Sequence, residues 1–244
     1  MPSDTLPAAG PVPHAVVTGS SSGIGRAIAE SLLATGWRVT GMDIAPPTIA
    51  HPDFAAMPVD LASGDAIARA ASALLQAEAA VPDALVHAAG VLRVGPLGQL
   101  DHAGGELMWR LHVDAATRLA DALVPAMAAR GRGRVVFIGS RVAQGMSGRG
   151  QYAATKAALI ALARSWAAEV AGQGVTVNVV SPAATATGML ADPARAGSAP
   201  RLPPIGRLID PAEIAALTGY LLSPAAAAIT GQDIAICGGS SLAR

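Results

Sequence analysis

The sequence predicts one α/β domain: a doubly wound parallel sheet of Rossmann type with helices on both faces. Three observations predict it. Short Val- and Ile-rich runs alternate with stretches of helical apolar periodicity along the whole chain, as a parallel sheet with crossover helices requires. The first of these runs passes through a glycine-rich turn straight into a helical pattern. The length of 244 residues with 52% apolar content is enough for one large core, and 3% aromatic content makes that core alanine- and valine-rich.

Residues 1–13 are rich in Pro and Ala and lack a basic start followed by an apolar stretch. They read as a flexible N-terminal tail rather than a signal peptide, which leaves 14–244 as the single domain. His14–Thr18 is a short buried strand. It runs into Gly19, three serines including Ser21 and Ser22, then Gly23, Ile24 and Gly25. The periodicity of Ile28, Leu32 and Leu33 follows, predicting a helix over 23–35. Strand, glycine turn and helix start form an anion site. Glycines let the backbone approach a pyrophosphate, and the helix N-terminus turns N–H groups and a positive dipole end toward it. A second strand, Trp37–Met42, ends at Asp43. An acid about 20 residues beyond such a turn holds a ribose 2′-hydroxyl and repels a 2′-phosphate. No arginine lies beside Asp43 or inside the turn, so the pattern favours NAD over NADP.

Further on, a strand ends at Val59, and helical patterns cover 64–79 and 106–130. Arg130, Arg132 and Arg134 cluster where the second of these ends, and cations there suit the helix dipole. The strand Val135–Gly139 closes with Ser140, and a helix over 150–172 carries Tyr152 and Lys156 near its start. Lys156 is the one lysine among 17 cationic side chains. A compact ammonium does something there that a planar guanidinium does not. Residues i and i+4 of a helix share a face about 6 Å apart, so the ammonium acts electrostatically on the phenol. An ordinary phenol titrates near 10, and a fixed positive charge favours phenolate. Reaching neutrality takes roughly 4 kcal/mol, at about 1.4 kcal/mol per unit. A tyrosine tuned in this way takes a proton from an alcohol or gives one to a carbonyl. A helix over 211–223 completes the alternation.

Together these motifs make the chain resemble the short-chain dehydrogenase/reductases over nearly its whole length. Thr18 to Gly25 matches the family's glycine turn, and Asp60-Leu61 matches the acidic position that contacts adenine. His87, Ala88, Ala89 and Gly90 stand where the family has Asn-Asn-Ala-Gly, and Asn178–Pro182 matches the strand and turn that face the nicotinamide. The resemblance implies that Ser140 orients the substrate oxygen. It makes Tyr152 the acid/base, and Lys156 the group that lowers the tyrosine pKa and holds the nicotinamide ribose. It adds Ile44, Ala183, Thr185 and Thr187 to the cofactor contacts, and it implies a cytoplasmic homotetramer in which the helices near 106–130 and 150–172 pack on their counterparts. Four positions depart from the family pattern. His112 replaces its fourth catalytic residue, an asparagine; a histidine either relays a proton itself or is a hydrogen-bonded core residue. Ala183 replaces a glycine. Cys237 replaces an aspartate and reads as a small buried apolar residue. The interval from Ser140 to Tyr152 is one residue short.

Three segments, Val39–Asp43, His87–Val94 and Ile229–Ile234 with its Gly238–Leu242 ending, are similar to the dihydrodiol-carboxylate dehydrogenase branch of the family. The segment Gly188–Pro204 is not, being short and rich in Ala, Pro and Gly. These resemblances imply oxidation of a secondary, cyclic alcohol, with ketone reduction as the reverse. A sugar, polyol or general secondary-alcohol substrate is the alternative, and an NAD-binding regulator without turnover is the alternative outside enzymes. Asp43 argues against an NADPH-dependent 3-oxoacyl reductase. Arg141, Arg93 and Arg149 are candidates to meet a carboxylate on the substrate by bidentate pairing, against a role at the surface or in a subunit contact. Met146 and Met189 are candidates for an apolar wall. A net charge of zero gives nucleic acid nothing to bind, and a single cysteine excludes an intrachain disulfide. No metal-ligand spacing appears, and no apolar run approaches the roughly 20 residues of a membrane span.

Overall fold

A computed structural model describes residues 12–76, 81–191 and 201–242. The expected tail, apart from Val12 and Pro13, lies outside them. Among these residues seven strands form: β1 (His14–Thr18), β2 (Arg38–Asp43), β3 (Phe54–Pro58), β4 (Ala84–His87), β5 (Gly133–Ile138), β6 (Val175–Pro182) and β7 (Asp233–Ile236). All pair in parallel, in the order β3-β2-β1-β4-β5-β6-β7. The chain winds outward from β1 to β3, returns, and winds outward again from β4 to β7. The reversal between β1 and β4 leaves a crevice at the carboxyl ends of the strands, where open parallel sheets bind ligands.

Each strand presents alternate residues to the two faces, and the core divides accordingly. Val16, Leu85, Val135, Phe137, Val177 and Val179 face α2 (Gly64–Gln76), α4 (Ala115–Ala129) and α5 (Gly150–Val170). Val17, Val86, Val136, Ile138 and Val180 face α1 (Gly23–Ala34) and α6 (Pro211–Leu222). The ends of α1, α5 and α6 fall within two residues of the sequence expectation, and the expected end of the 64–79 helix lies outside the described residues.

The expected 106–130 helix differs. It begins at His102, where the Asp101 carboxylate caps the Gly104 N–H at 2.8 Å, and α3 (His102–Trp109) leads into a π-helical turn over Arg110–Asp114 before α4. Gly104 and Gly105 lower local helix propensity and hid this start. Within the turn the Ala115 N–H bonds Arg110 O, five residues back. Such a turn lodges an extra residue in the helix and frees a carbonyl for another partner. The arginine cluster at the end of α4 does more than complement a dipole. Arg130 donates to the Val81 and Pro82 carbonyls at 2.6 and 2.9 Å, and Arg130 and Arg132 lie 3.2 and 3.3 Å from Asp83. They tie the end of α4 to the start of β4. Cys237, expected to be buried, is only half-buried.

Candidate active site

A cavity of about 1120 Å³ occupies the crevice. One end is built by the glycine turn. The Gly19 N–H bonds Met42 O at 2.8 Å, which locks the turn to β2. Gly19 has φ +68°, and a Cβ there would lie 2.9 Å from the Ala89 backbone. A Cβ on Gly25 would lie 2.2 Å from Gly19 O. The turn therefore folds flat against the first turn of α1, whose N–H groups lack intrahelical acceptors, and Ser22 adds no side-chain cap. Gly19, Ser22, Gly23, Ile24 and Gly25 line the cavity. Asp43 lines it from the end of β2, fixed by the Ser21 N–H at 3.0 Å and the Ala45 N–H at 2.9 Å. Ile44, Asp60 and Leu61 continue that wall. The cradle, the acid and the volume fit a dinucleotide.

The other end is built by β5 and α5. Ser140 lies two residues past the end of β5 and caps the short turn after it, accepting from the Val142 N–H at 3.2 Å. Tyr152 and Lys156 occupy one face of α5. The Lys156 ammonium lies 5.8 Å from the centre of the Tyr152 ring and donates to Ile138 O at 2.8 Å. Burial lowers its pKa from 10.5 to about 7. Ser140, Tyr152 and Lys156 all line the same cavity as the glycine turn.

Two buried histidines brace this arrangement. His87 Nε2 lies 3.0 Å from Leu111 O, the π-turn carbonyl. A carbonyl only accepts, so Nε2 carries the proton and Nδ1 accepts from the Thr18 hydroxyl at 3.0 Å. The Thr18 oxygen accepts in turn from the Ala88 and Ala89 N–H groups. His112 is the mirror case. Its Nε2 accepts from the Val91 N–H at 3.1 Å, so Nδ1 donates to the Thr155 hydroxyl at 2.8 Å, which donates to Tyr152 O at 2.8 Å. Its ring also meets the Tyr152 ring edge to face at 5.6 Å. Burial, with Lys156 adding to it, holds the His87 pKa at about 3 and the His112 pKa well below its ordinary range. Both imidazoles are neutral.

Most sequence-predicted positions converge on the cavity. Ala88, Gly90, Pro182 and Ala183 line its middle, with Thr185 and Thr187 beyond them. Arg141, Met146, Arg149 and Met189 line the end near Tyr152. Four expectations need correction. His87 does not line the cavity; both its ring nitrogens are engaged inside the core. Ser21 turns its hydroxyl to Ala45 O at 3.2 Å and its N–H to Asp43, so it fixes the acid without lining the cavity. Arg93 does not line it either. Its guanidinium donates to Leu92 O, and its stem packs where a Gly104 side chain would be. His112 lines the cavity, but its two nitrogens are held by Val91 and Thr155, so it fits the hydrogen-bonded core reading rather than the proton relay. Sequence reasoning missed Arg201, Leu202, Ser240 and Leu242, which close the cavity from the chain's last segments. The Gly238-Gly239 pair, needed for close approach to residues 203–205, was the one signal for them.

Among the described residues no cluster of His, Cys, Asp or Glu could hold a metal ion, and no helix is long and apolar enough to cross a membrane. The sequence matches the family model described as enoyl-(acyl carrier protein) reductase over residues 19–241. It is 38% identical to the 3-oxoacyl-(acyl-carrier-protein) reductase FabG of Escherichia coli, covering 92% of this chain and 96% of that one. It is 37% identical to the 2,3-dihydro-2,3-dihydroxybenzoate dehydrogenase of Escherichia coli, covering 93% and 96%. A solved short chain dehydrogenase/reductase family protein superposes with a TM-score of 0.84 at 32% identity, covering 95% of this chain and 98% of that one.

Proposed function

The chain belongs to the short-chain dehydrogenase/reductase family, and from that premise we propose that it is an NAD-dependent dehydrogenase oxidising a secondary, cyclic alcohol that carries a carboxylate. One observation carries this reading: a buried ammonium 5.8 Å from a tyrosine ring, in a cavity shared with Ser140, a glycine turn and an aspartate at the end of β2. Gly19, Gly23 and the first turn of α1 would hold the pyrophosphate, Asp43 the adenosine ribose, and Asp60-Leu61 the adenine. When bound, NAD supplies the hydride acceptor. Ser140 positions the substrate oxygen, Tyr152 takes the hydroxyl proton, and Lys156 stabilises the resulting phenolate. His112, through Thr155, holds the Tyr152 backbone carbonyl in the first turns of α5.

Asp43 supports NAD over NADP, since a carboxylate repels a 2′-phosphate. Arg141 does not offset it, because it follows β5, and β2 and β5 are three strands apart, about 14 Å at the usual spacing. Ketone reduction is the second reading, favoured by the likeness to a 3-oxoacyl reductase. The test is NADH formation with NAD or NADP against cyclic alcohols with and without a carboxylate, polyols and open-chain alcohols. NAD-dependent turnover of ring alcohols is expected. Preference for NADP would refute the assignment of Asp43, and turnover confined to polyols would refute the cyclic substrate.

A homotetramer in the cytoplasm belongs to the same reading. Away from the sheet, α5 exposes Ala154, Ala157, Ala161 and Ala168, small side chains that admit a second helix closely. Light scattering is expected to give four times the chain mass of 24.2 kDa, and a monomer would reject that packing.

A further inference from the structure

The charges lining the cavity are segregated. Its carboxylates are Asp43, at the end of β2, which accepts the Ser21 and Ala45 N–H groups, and Asp60, two residues past β3, which accepts the Ala62 N–H. The rest of the cavity lining holds no carboxylate among the described residues, and its cations are Arg141, Arg149, Lys156 and Arg201. Several other guanidinium groups are paired. Arg26, Arg110, Arg118 and Arg207 meet acids on their own or neighbouring turns, and Arg130 and Arg132 meet Asp83. Arg141 and Arg201 have no hydrogen-bond or ion-pair partner among the described residues.

Their placement is built by the fold. Arg141 directly follows Ser140 in the turn that this serine caps. Arg201 begins the segment leading to Ile205, whose N–H bonds Gly238 O at 3.2 Å. A Cβ on Gly238, at φ +54°, would lie 2.7 Å from the Ile205 side chain, so only glycine lets the C-terminal turn grip that segment. The same cavity lining includes the apolar Val142, Met146, Leu202 and Leu242.

We propose that Arg141 and Arg201 form a carboxylate-binding subsite, and that the C-terminal turn Gly238–Leu242 fixes it by holding the Arg201 segment. The ligand class is a ring or alicyclic monocarboxylic acid, its apolar body on the methionine and leucine wall and its carboxylate between the guanidinium groups. This rests on the dehydrogenase reading and names its substrate class.

The test is binding rather than turnover. NADH-loaded protein is titrated calorimetrically with cyclohexanecarboxylate and with the neutral cyclohexanecarboxamide. The carboxylate is expected to bind about tenfold or more tighter, the scale of a charge-assisted contact. That preference is expected to fall to within about twofold in Arg141→Gln/Arg201→Gln, with NADH affinity unchanged. Gly238→Ala is expected to weaken the carboxylate preference in the same direction. Equal binding of the two probes, no measurable binding of the carboxylate, or a preference that survives in the double variant overturns the subsite. Absence of the preference in the unaltered protein, alongside Tyr152-dependent NADH formation, rejects the subsite and leaves the dehydrogenase. Preference without any turnover rejects the dehydrogenase and leaves the subsite.

Discussion

Tyr152→Phe is expected to lower turnover by roughly 10²–10⁴-fold, the range that a positioned acid/base contributes, while NADH still binds. The substitution removes one oxygen and keeps the ring. The edge-to-face contact with His112 involves the ring, which phenylalanine keeps. The hydrogen bond from Thr155 goes to the backbone carbonyl of residue 152, which is also kept. The fold and its melting temperature should therefore change little, so the lost rate isolates the phenol. Stopped-flow NADH formation together with NADH fluorescence titration separates the outcomes. Full turnover in the variant would remove Tyr152 from the mechanism and reopen the regulatory alternative. Loss of NADH binding along with turnover would make it a positioning residue for the nucleotide.

The two halves of the site were not equally legible in the sequence. The glycine turn, Asp43 and the Tyr152–Lys156 pair are set by local geometry: a strand end, a helix start, one helical turn. Spacing alone places such groups, and the structure brings them to one cavity. His87 and His112 are different. Their partners Thr18, Leu111, Val91 and Thr155 lie 21 to 69 residues away, so no local pattern could say that both rings would be neutral and fully bonded. The π turn that presents Leu111 O is hidden for the same reason, since its extra residue answers a tertiary need. Arg93 shows the opposite error. Closeness in sequence to Gly90 suggested the pocket, but the side chain returns to its neighbour's carbonyl. The closing wall from Arg201, Leu202, Ser240 and Leu242 depends on packing between two segments with no periodicity of their own.

Lys156→Met is expected to move activity and stability in opposite directions. The side chain is buried, and no carboxylate among the described residues accounts for that burial. Its amine titrates at about 7 in the folded chain against a reference of 10.5. Between those values the unfolded chain binds a proton that the folded chain does not, so stability rises with pH across that window. Below about 7 both states hold the proton, and the full penalty of burying the ammonium remains. At about 1.4 kcal/mol per unit the penalty is on the order of 5 kcal/mol. Methionine fills much of the same volume without the charge. The Ile138 carbonyl loses its donor, which costs about 1 kcal/mol, less than the burial penalty removed. The variant should therefore melt higher than the parent at neutral and acidic pH, and the gap should narrow as pH rises toward 10. Turnover should fall by about 10² or more, because the phenolate loses its stabilising charge. A lysine kept for packing would give the reverse, a variant that melts lower and keeps its rate. Thermal melts over pH 6 to 10, read beside initial rates, decide between a group held against stability for catalysis and one that only fills the core.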